Sequence, residues 1–290
     1  MIKMSEETAS RTVIITGAAG GIGRVMVQAL LADGHRVGAV DRDTDALQAL
    51  REDEGSPAAL TVMTADLCKA DEPERVVRAL RDVQGPADAV VNNAGIGGSG
   101  FWQRLGKPRP VFWELDPEVW DQYMQVNATA VFRLSRAAAP DLIRSGRGRL
   151  INVTTSLISM LERKMAPYGP SKAATEALTA NMAADLDGTG ATANVLIPGG
   201  PTDTAMVVGV DKKRLLAPEI MVPPLLWLLS DSAAETTGRR FIAHRWDLSV
   251  SPDEAARGAS DPVAWTELAQ KSGRVGNAAD LIYQDARITP

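Results

Sequence analysis

The sequence predicts an α/β fold: a single doubly wound parallel sheet with helices on both faces and a C-terminal extension. Three observations predict it. Short aliphatic runs alternate with amphipathic stretches, a glycine-rich turn joins the first run to the first helical pattern, and polar residues collect just past the ends of successive runs. Strands alternating with helices in this way pair in parallel, and ligands of such sheets bind beyond the carboxyl ends of the strands.

The chain has 290 residues, 45% hydrophobic and 23% charged, which gives room for a sizeable core in an ordinary globular composition. Residues 1–10 read as a polar N-terminal segment, 11–247 as the sheet domain and 248–290 as the extension. A net charge of −5 without a long basic run argues against nucleic acid or an anionic membrane as partner. No apolar run approaches the length of a membrane span and the first residues lack the apolar core of a signal peptide, so a cytoplasmic location is expected. One cysteine, Cys68, and two histidines, His35 and His244, leave no internal disulfide and little for a metal.

The first strand, Thr12 to Ile15, runs into Thr16, Gly17, Ala18, Ala19, Gly20, Gly21, Ile22 and Gly23, followed by a helical pattern (Val25, Met26, Ala29, Leu30) and a second strand, Arg36 to Val40. Between strand and helix, Gly17, Gly20, Gly21 and Gly23 permit a tight turn. They also let a dinucleotide pyrophosphate approach the helix N-terminus, where free N–H groups and the helix dipole favour anions. Asp41 closes the second strand, where a carboxylate binds adenosine ribose hydroxyls and repels a 2′-phosphate. Within the turn no basic residue precedes Gly21, so NAD is favoured over NADP, with Arg42 the one group able to turn toward a 2′-phosphate. The alternative for Asp41 is a cap on the segment from Thr44 to Leu50. A third strand, Leu60 to Ala65, ends at Asp66 and Leu67, and a fourth, Ala87 to Val91, ends at Asn92, Asn93, Ala94 and Gly95.

The stretch from Gly97 to Leu115 is long for a connection and carries Phe101, Trp102, Phe112 and Trp113 among glycines and prolines. Such segments serve as binding loops or lids, or pack their aromatics on a neighbouring helix or subunit. Further on, Tyr168 and Lys172 are spaced to share one face of a helix whose first turn tolerates Pro167 and Pro170. A phenol ordinarily titrates at about pH 10, and a lysine cation beside it favours the phenolate, making Tyr168 a candidate proton donor and acceptor.

In order and approximate spacing, TGAAGGIG, Asp66, NNAG, Asn127, the hydroxyl pair Thr155 and Ser156, YGPSK and the Pro198–Gly199 turn resemble the short-chain dehydrogenase/reductase family over about residues 10 to 245. The resemblance implies a Rossmann fold and an NAD(P)-dependent oxidoreductase that interconverts a secondary alcohol and a ketone. It implies that Asp66, with Leu67, binds the adenine and that Asn93, Ala94 and Gly95 support the sheet beside the cofactor. Asn127 then holds a proton-relay water, in a helix expected from about Pro117 to Ile143. Tyr168 is the acid/base, and Lys172 lowers its pKa and holds the nicotinamide ribose.

The chain departs from the family pattern at several places. Where the family has a serine thirteen residues before the tyrosine, this chain has Thr155, with Ser156 beside it as the alternative carbonyl-polarising hydroxyl. After Pro198 and Gly199 the family's nicotinamide-contacting threonine counts onto Asp203, leaving Thr202 or Thr204 as the contact with one residue of slack. The last strand, Arg240 to Ala243, is followed by no Asp-Gly-Gly turn. The extension beyond shows one convincing helical patch, Pro262 to Gln270, and reads as a segment that wraps a neighbour or covers the site. The resemblance also implies a homodimer or homotetramer. Phe101, Trp102, Leu157, Met160, Met165 and Met206 point to an apolar or cyclic small-molecule substrate. A cofactor-binding sensor without turnover is the rival reading.

Overall fold

The structure, a computed structural model, describes residues 9–272. In chain order the elements are β1 (Thr12–Thr16), α1 (Gly21–Ala32), β2 (Arg36–Asp41), α2 (Thr44–Asp53), β3 (Leu60–Thr64), α3 (Glu72–Gln84), β4 (Ala89–Asn92), α4 (Gly98–Arg104) and α5 (Pro117–Met124). They continue as α6 (Ala130–Ser145), β5 (Arg149–Val153), α7 (Leu157–Leu161), α8 (Tyr168–Asp185), β6 (Thr192–Ile197), α9 (Val222–Leu229), β7 (Arg239–Ile242), α10 (Pro252–Ala259), β8 (Ser260–Pro262) and α11 (Thr266–Ser272).

The sheet order is β3-β2-β1-β4-β5-β6-β7-β8, parallel except for the antiparallel edge strand β8. The strand order reverses between β1 and β4, the place where a doubly wound sheet opens a crevice at its carboxyl edge. The central strands are buried on both faces: every residue of β1, β4, β5 and β6 is buried, which continuous apolar runs require and an alternating pattern would not give. One face carries a core of Met26, Val27, Leu30, Leu225, Leu228 and Phe241; the other carries Val76, Leu80, Leu134, Ala138 and Leu142. The predicted doubly wound sheet with helices on both faces is the fold observed.

Beyond residue 248 the described chain packs on its own sheet. Ser251 caps α10 by accepting from the Glu254 N–H, and Ala255, Ala256 and Ala259 are buried. β8 then pairs with β7 through Phe241 and Ser260, so β7 is not the last strand. Helix α11 covers the C-terminal part of the expected helical patch, and α10 is an additional helix. The rest of the extension, 273–290, lies outside the described residues.

Candidate active site

The glycine turn shows why its residues are small. A Cβ on Gly23 would overlap the Gly17 carbonyl oxygen, and one on Gly17 would come within 2.8 Å of the Ala94 Cα. The Asn93 amide donates to the Thr16 and Gly17 carbonyls at 3.1 Å each, and the Thr16 hydroxyl accepts from the Ala94 N–H at 3.0 Å. The end of β4 thereby holds the turn in shape. Helix α1 follows Gly20, which supplies no side-chain cap, and has no acid in its first turn. Its first N–H groups and the positive end of its dipole are left to an anion, so the residues present fit a dinucleotide pyrophosphate.

At the end of β2, Asp41 accepts from the N–H groups of Ala19 (3.2 Å), Arg42 (2.7 Å) and Asp43 (3.2 Å). It is therefore fixed on the glycine turn, and Asp43, not Asp41, caps α2 through the Ala46 N–H. Arg42 is exposed and, with Asp43, Thr44 and Asp45, lines an open depression beside Asp41. Asp66 is exposed just past β3, its carboxylate accepting from the Cys68 N–H, with Leu67 half-buried next to it.

The helix expected from Pro117 runs to Ser145 but is interrupted by a π-helical turn, Gln125–Thr129, that contains Asn127. Such turns recur at functional sites because they redirect backbone groups. The fully buried Asn127 side chain accepts from the Ile96 N–H and donates to the Ile96 carbonyl and the Ser171 hydroxyl, each at 2.9 Å. Its own carbonyl accepts from the Thr175 hydroxyl. Asn127 thus joins the end of β4 to the first turn of α8. A Cβ on Gly95 would lie 3.2 Å from both the Asn127 Oδ1 and the Lys172 Nζ, so these two groups converge on one backbone position.

Tyr168 opens α8. Its ring lies against Gly97, where a Cβ would overlap the phenol ring. Burial pushes the Tyr168 phenol up, and this outweighs the lowering by a hydrogen bond with the Thr155 side chain and by the Arg109 guanidinium. This differs from the sequence expectation, which gave the lowering to Lys172. That side chain is buried and its ammonium donates to the Val153 carbonyl at 2.8 Å, while burial holds it down at about 8. Of the hydroxyl pair, Ser156 caps α7, accepting from the Ser159 N–H at 3.1 Å, so Thr155 is the member that faces the phenol.

Pro198 and Gly199 turn the chain after β6, with the Pro198 carbonyl accepting from the His244 N–H. Thr202 is buried and bridges to Leu216, whereas the Thr204 methyl lies against Gly21, where a Cβ would meet it at 2.8 Å. Asp203 pairs instead with Lys212 at 3.5 Å. The segment beyond Thr204 is held to α4: the Ser99 hydroxyl bridges the Val208 N–H and carbonyl, and the Gly100 N–H donates to the Met206 carbonyl. Together they leave over Tyr168 a cavity of about 10 Å³ lined by Gly98, Trp102, Arg109, Lys164, Met165 and Ala166. That volume is at the lower limit for one water, so nothing larger fits the cavity in this arrangement.

Three residues here lie outside the sequence expectation. Glu176, fully buried on α8, accepts from the Thr154 hydroxyl and from Arg240, and Arg240 also donates to the Thr155 carbonyl at 2.6 Å. The four-residue step from Lys172 to Glu176 on a helix of small residues was the signal available for the first. Arg109 had none beyond its place in the aromatic loop. Among the described residues no group of His, Cys, Asp and Glu is arranged to hold a metal, and no helix is long and apolar enough to cross a membrane.

A family model for short chain dehydrogenases matches residues 11–215. The chain is 33% identical over 243 residues to a short-chain type dehydrogenase/reductase of Picea abies, covering 76% of this chain and 86% of that one. It is 31% identical over 262 residues to 2-(S)-hydroxypropyl-CoM dehydrogenase 3 of Xanthobacter autotrophicus, covering 82% and 96%. Among solved structures, a short-chain dehydrogenase/reductase of Brucella melitensis superposes with a TM-score of 0.71 at 26% identity, covering 82% of this chain and 96% of that one. With its glycine turn, sheet order and Tyr168–Lys172 helix, the chain belongs to the short-chain dehydrogenase/reductase family of NAD(P)-linked oxidoreductases.

Proposed function

We propose that the protein interconverts a secondary alcohol and a ketone with NAD as its preferred cofactor and Tyr168 as general acid/base. The observation that carries the reading is the convergence on the carboxyl edge of the sheet of Tyr168, the Thr155 side chain hydrogen-bonded to it, and the buried Lys172 beside Asn127.

The nicotinamide, when bound, supplies or accepts the hydride. The glycine turn (Gly17, Gly20, Gly21, Ile22, Gly23) would hold its pyrophosphate, Asp41 the adenosine ribose, and Asp66 and Leu67 the adenine. Asn93, Ala94 and Gly95, with Pro198 and Gly199, would border the nicotinamide, with Thr204 the nearer of the two candidate threonines. Tyr168 gives its proton to the carbonyl oxygen on reduction and takes the hydroxyl proton on oxidation. Thr155 donates to the same oxygen and stabilises its developing charge. Lys172, which burial holds at about 8, would hold the nicotinamide ribose, and Asn127 beside it would hold a relay water. Exposed Phe132 and Ile143 on α6 favour a homodimer or homotetramer, and the lack of a membrane-spanning helix among the described residues favours a cytoplasmic enzyme.

The test is NADH consumption and NAD reduction against a panel of ketones and secondary alcohols. Tyr168→Phe is expected to abolish turnover while keeping the NAD-induced rise in unfolding midpoint. Thr155→Val is expected to cut kcat by about 10²–10³-fold, the scale of one lost oxyanion donor. Ser156→Ala, which removes only a cap, should leave kcat within a few-fold. Full turnover by the Tyr168→Phe protein would overturn the assignment.

A further inference from the structure

Arg109 lines the cavity over Tyr168 and, among the described residues, has no carboxylate partner. Its guanidinium makes one polar contact among the described residues, a 3.0 Å donation to the Met165 thioether sulfur, which is a weak acceptor. A half-buried guanidinium with five donors ordinarily finds carbonyls or carboxylates. Elsewhere in this chain it does: Arg75 pairs with Glu72, Arg81 with Asp141, Arg240 with Glu176 and Arg245 with Asp261. In a chain of net charge −5, acids are plentiful, and none stands within ion-pair distance of Arg109 among the described residues.

A second cation lines the same cavity. Lys164, in the turn before α8, has no ion pair among the described residues and holds a φ of +63°, a left-handed conformation that a residue with a side chain seldom adopts. Backbone held in that region tends to sit at binding sites, where the surroundings fix it. Arg109 and Lys164 come from different loops, so two cationic residues line the cavity, Arg109 half-buried and Lys164 exposed. Beneath Tyr168, in the aromatic cluster with Phe101 and Trp102, the fully buried Tyr123 hydroxyl has no hydrogen-bond partner. A neutral ketone offers the guanidinium an acceptor but no counter-charge.

We propose that Arg109, with Lys164 beside it, binds a carboxylate or similar small anionic group on the substrate, so that the enzyme acts on alcohols and ketones that carry a negative charge. The proposal rests on the dehydrogenase reading above and names the substrate class of that site. A planar carboxylate matches the guanidinium fork with two parallel charge-assisted hydrogen bonds. Its arrival replaces the Met165 sulfur as acceptor, while Trp102, Met165 and the Tyr168 ring supply an apolar frame for the body of the molecule. The guanidinium's pull on the phenol then weakens as the anion neutralises it, which couples substrate binding to the acid strength of Tyr168.

The experiment compares acids with their uncharged isosteres in NADH-saturated full-length protein: 4-acetylbenzoate with 4-acetylbenzamide, and levulinate with its primary amide. Binding is read from the unfolding midpoint over a concentration series, and turnover from NADH consumption. Wild type is expected to favour the acid by about 10- to 100-fold in affinity or KM, the scale of charge-assisted hydrogen bonds. Arg109→Gln should erase most of that preference and Lys164→Gln part of it. Equal response to acid and amide in wild type overturns the proposal, as does a preference that survives Arg109→Gln. If Arg109 acted only on the phenol, Arg109→Gln would lower turnover of acid and amide by one factor and leave their ratio unchanged, which also overturns it. Anion-selective stabilisation with no turnover of any compound would instead count against the dehydrogenase reading while supporting the anion site.

Discussion

Arg240 and Glu176 form an ion pair at 2.8 Å in which the carboxylate is fully buried and the guanidinium 3% exposed. The pair stands behind the carboxyl edge of the sheet, next to Thr154 and Thr155. The same guanidinium donates to the Thr155 carbonyl, the Glu176 carboxylate also accepts from the Thr154 hydroxyl, and the Ala264 N–H ties the extension to it at 3.2 Å. The loop that presents Thr155 to the phenol is thus fixed from below.

Removing one partner leaves the other charged, buried and unpaired. Arg240→Met is expected to destabilise the fold by about 3–5 kcal/mol in urea unfolding. Replacing both, Arg240→Met with Glu176→Leu, should recover much of that loss, because a buried pair seldom contributes more than well-packed apolar side chains. A single substitution costing under about 1 kcal/mol would show that water reaches the pair.

Gly97 stands against the face of the Tyr168 ring. Its φ of 162° is ordinary extended backbone, so the need for glycine there is one of space alone. Gly97→Ala is expected to displace the phenol and lower kcat by about 10²-fold, the cost of an ångström-scale misplacement. The NAD-induced shift in midpoint should persist, since the glycine turn is untouched. Unchanged kcat would mean that the ring has room to move without leaving its working position.

Lys172 carries a stability cost that depends on pH. Burial lowers its pKa from 10.5 to about 8. Below about pH 8 both native and unfolded chains hold the proton, and the native state bears the full desolvation cost, roughly 3 kcal/mol for such a shift. Between about 8 and 10.5 the unfolded chain holds more protons than the native one, so the wild-type protein gains stability as pH rises. Lys172→Met removes the titrating group at similar volume. Its stability relative to wild type, measured by urea unfolding from pH 7 to pH 10, should therefore decline steadily with pH, and a flat difference would show that the ammonium is solvated. Turnover should be lost throughout.

The sheet and the main motif positions were legible because each depends on short-range requirements. A tight turn before a helix needs Gly17 and Gly23, and a four-residue step on a helix puts Tyr168 and Lys172 on one face. The misses depend on tertiary context. Helix α4 begins Gly98, Ser99, Gly100, a poor helix start, but those glycines let the backbone meet the Ala205 and Met206 carbonyls. Helix α10 buries only alanines, which give no strong periodic signal, and the three-residue β8 forms because the edge of β7 is there to pair with it. The direction of the Lys172 ammonium, toward Val153 and not the phenol, is a rotamer set by packing, and no spacing rule encodes it.

The proposed preference for NAD rests on Asp41. Its carboxylate is held by three backbone N–H groups, one from the glycine turn itself, so it cannot swing aside to admit a 2′-phosphate without giving up all three. A phosphate brought to that position meets a negative charge, and the exposed Arg42 next to it is the one cation there, among the described residues, that could compensate. In wild type, NAD should raise the unfolding midpoint at concentrations where NADP has little effect; a ligand at a hundred times its Kd stabilises by about 2.7 kcal/mol, a readily measured shift. Asp41→Ser should weaken NAD at least tenfold and bring NADP to equal or better affinity through Arg42. If wild type instead responds first to NADP, Arg42 overrides the carboxylate, and Asp41 serves only to brace the glycine turn.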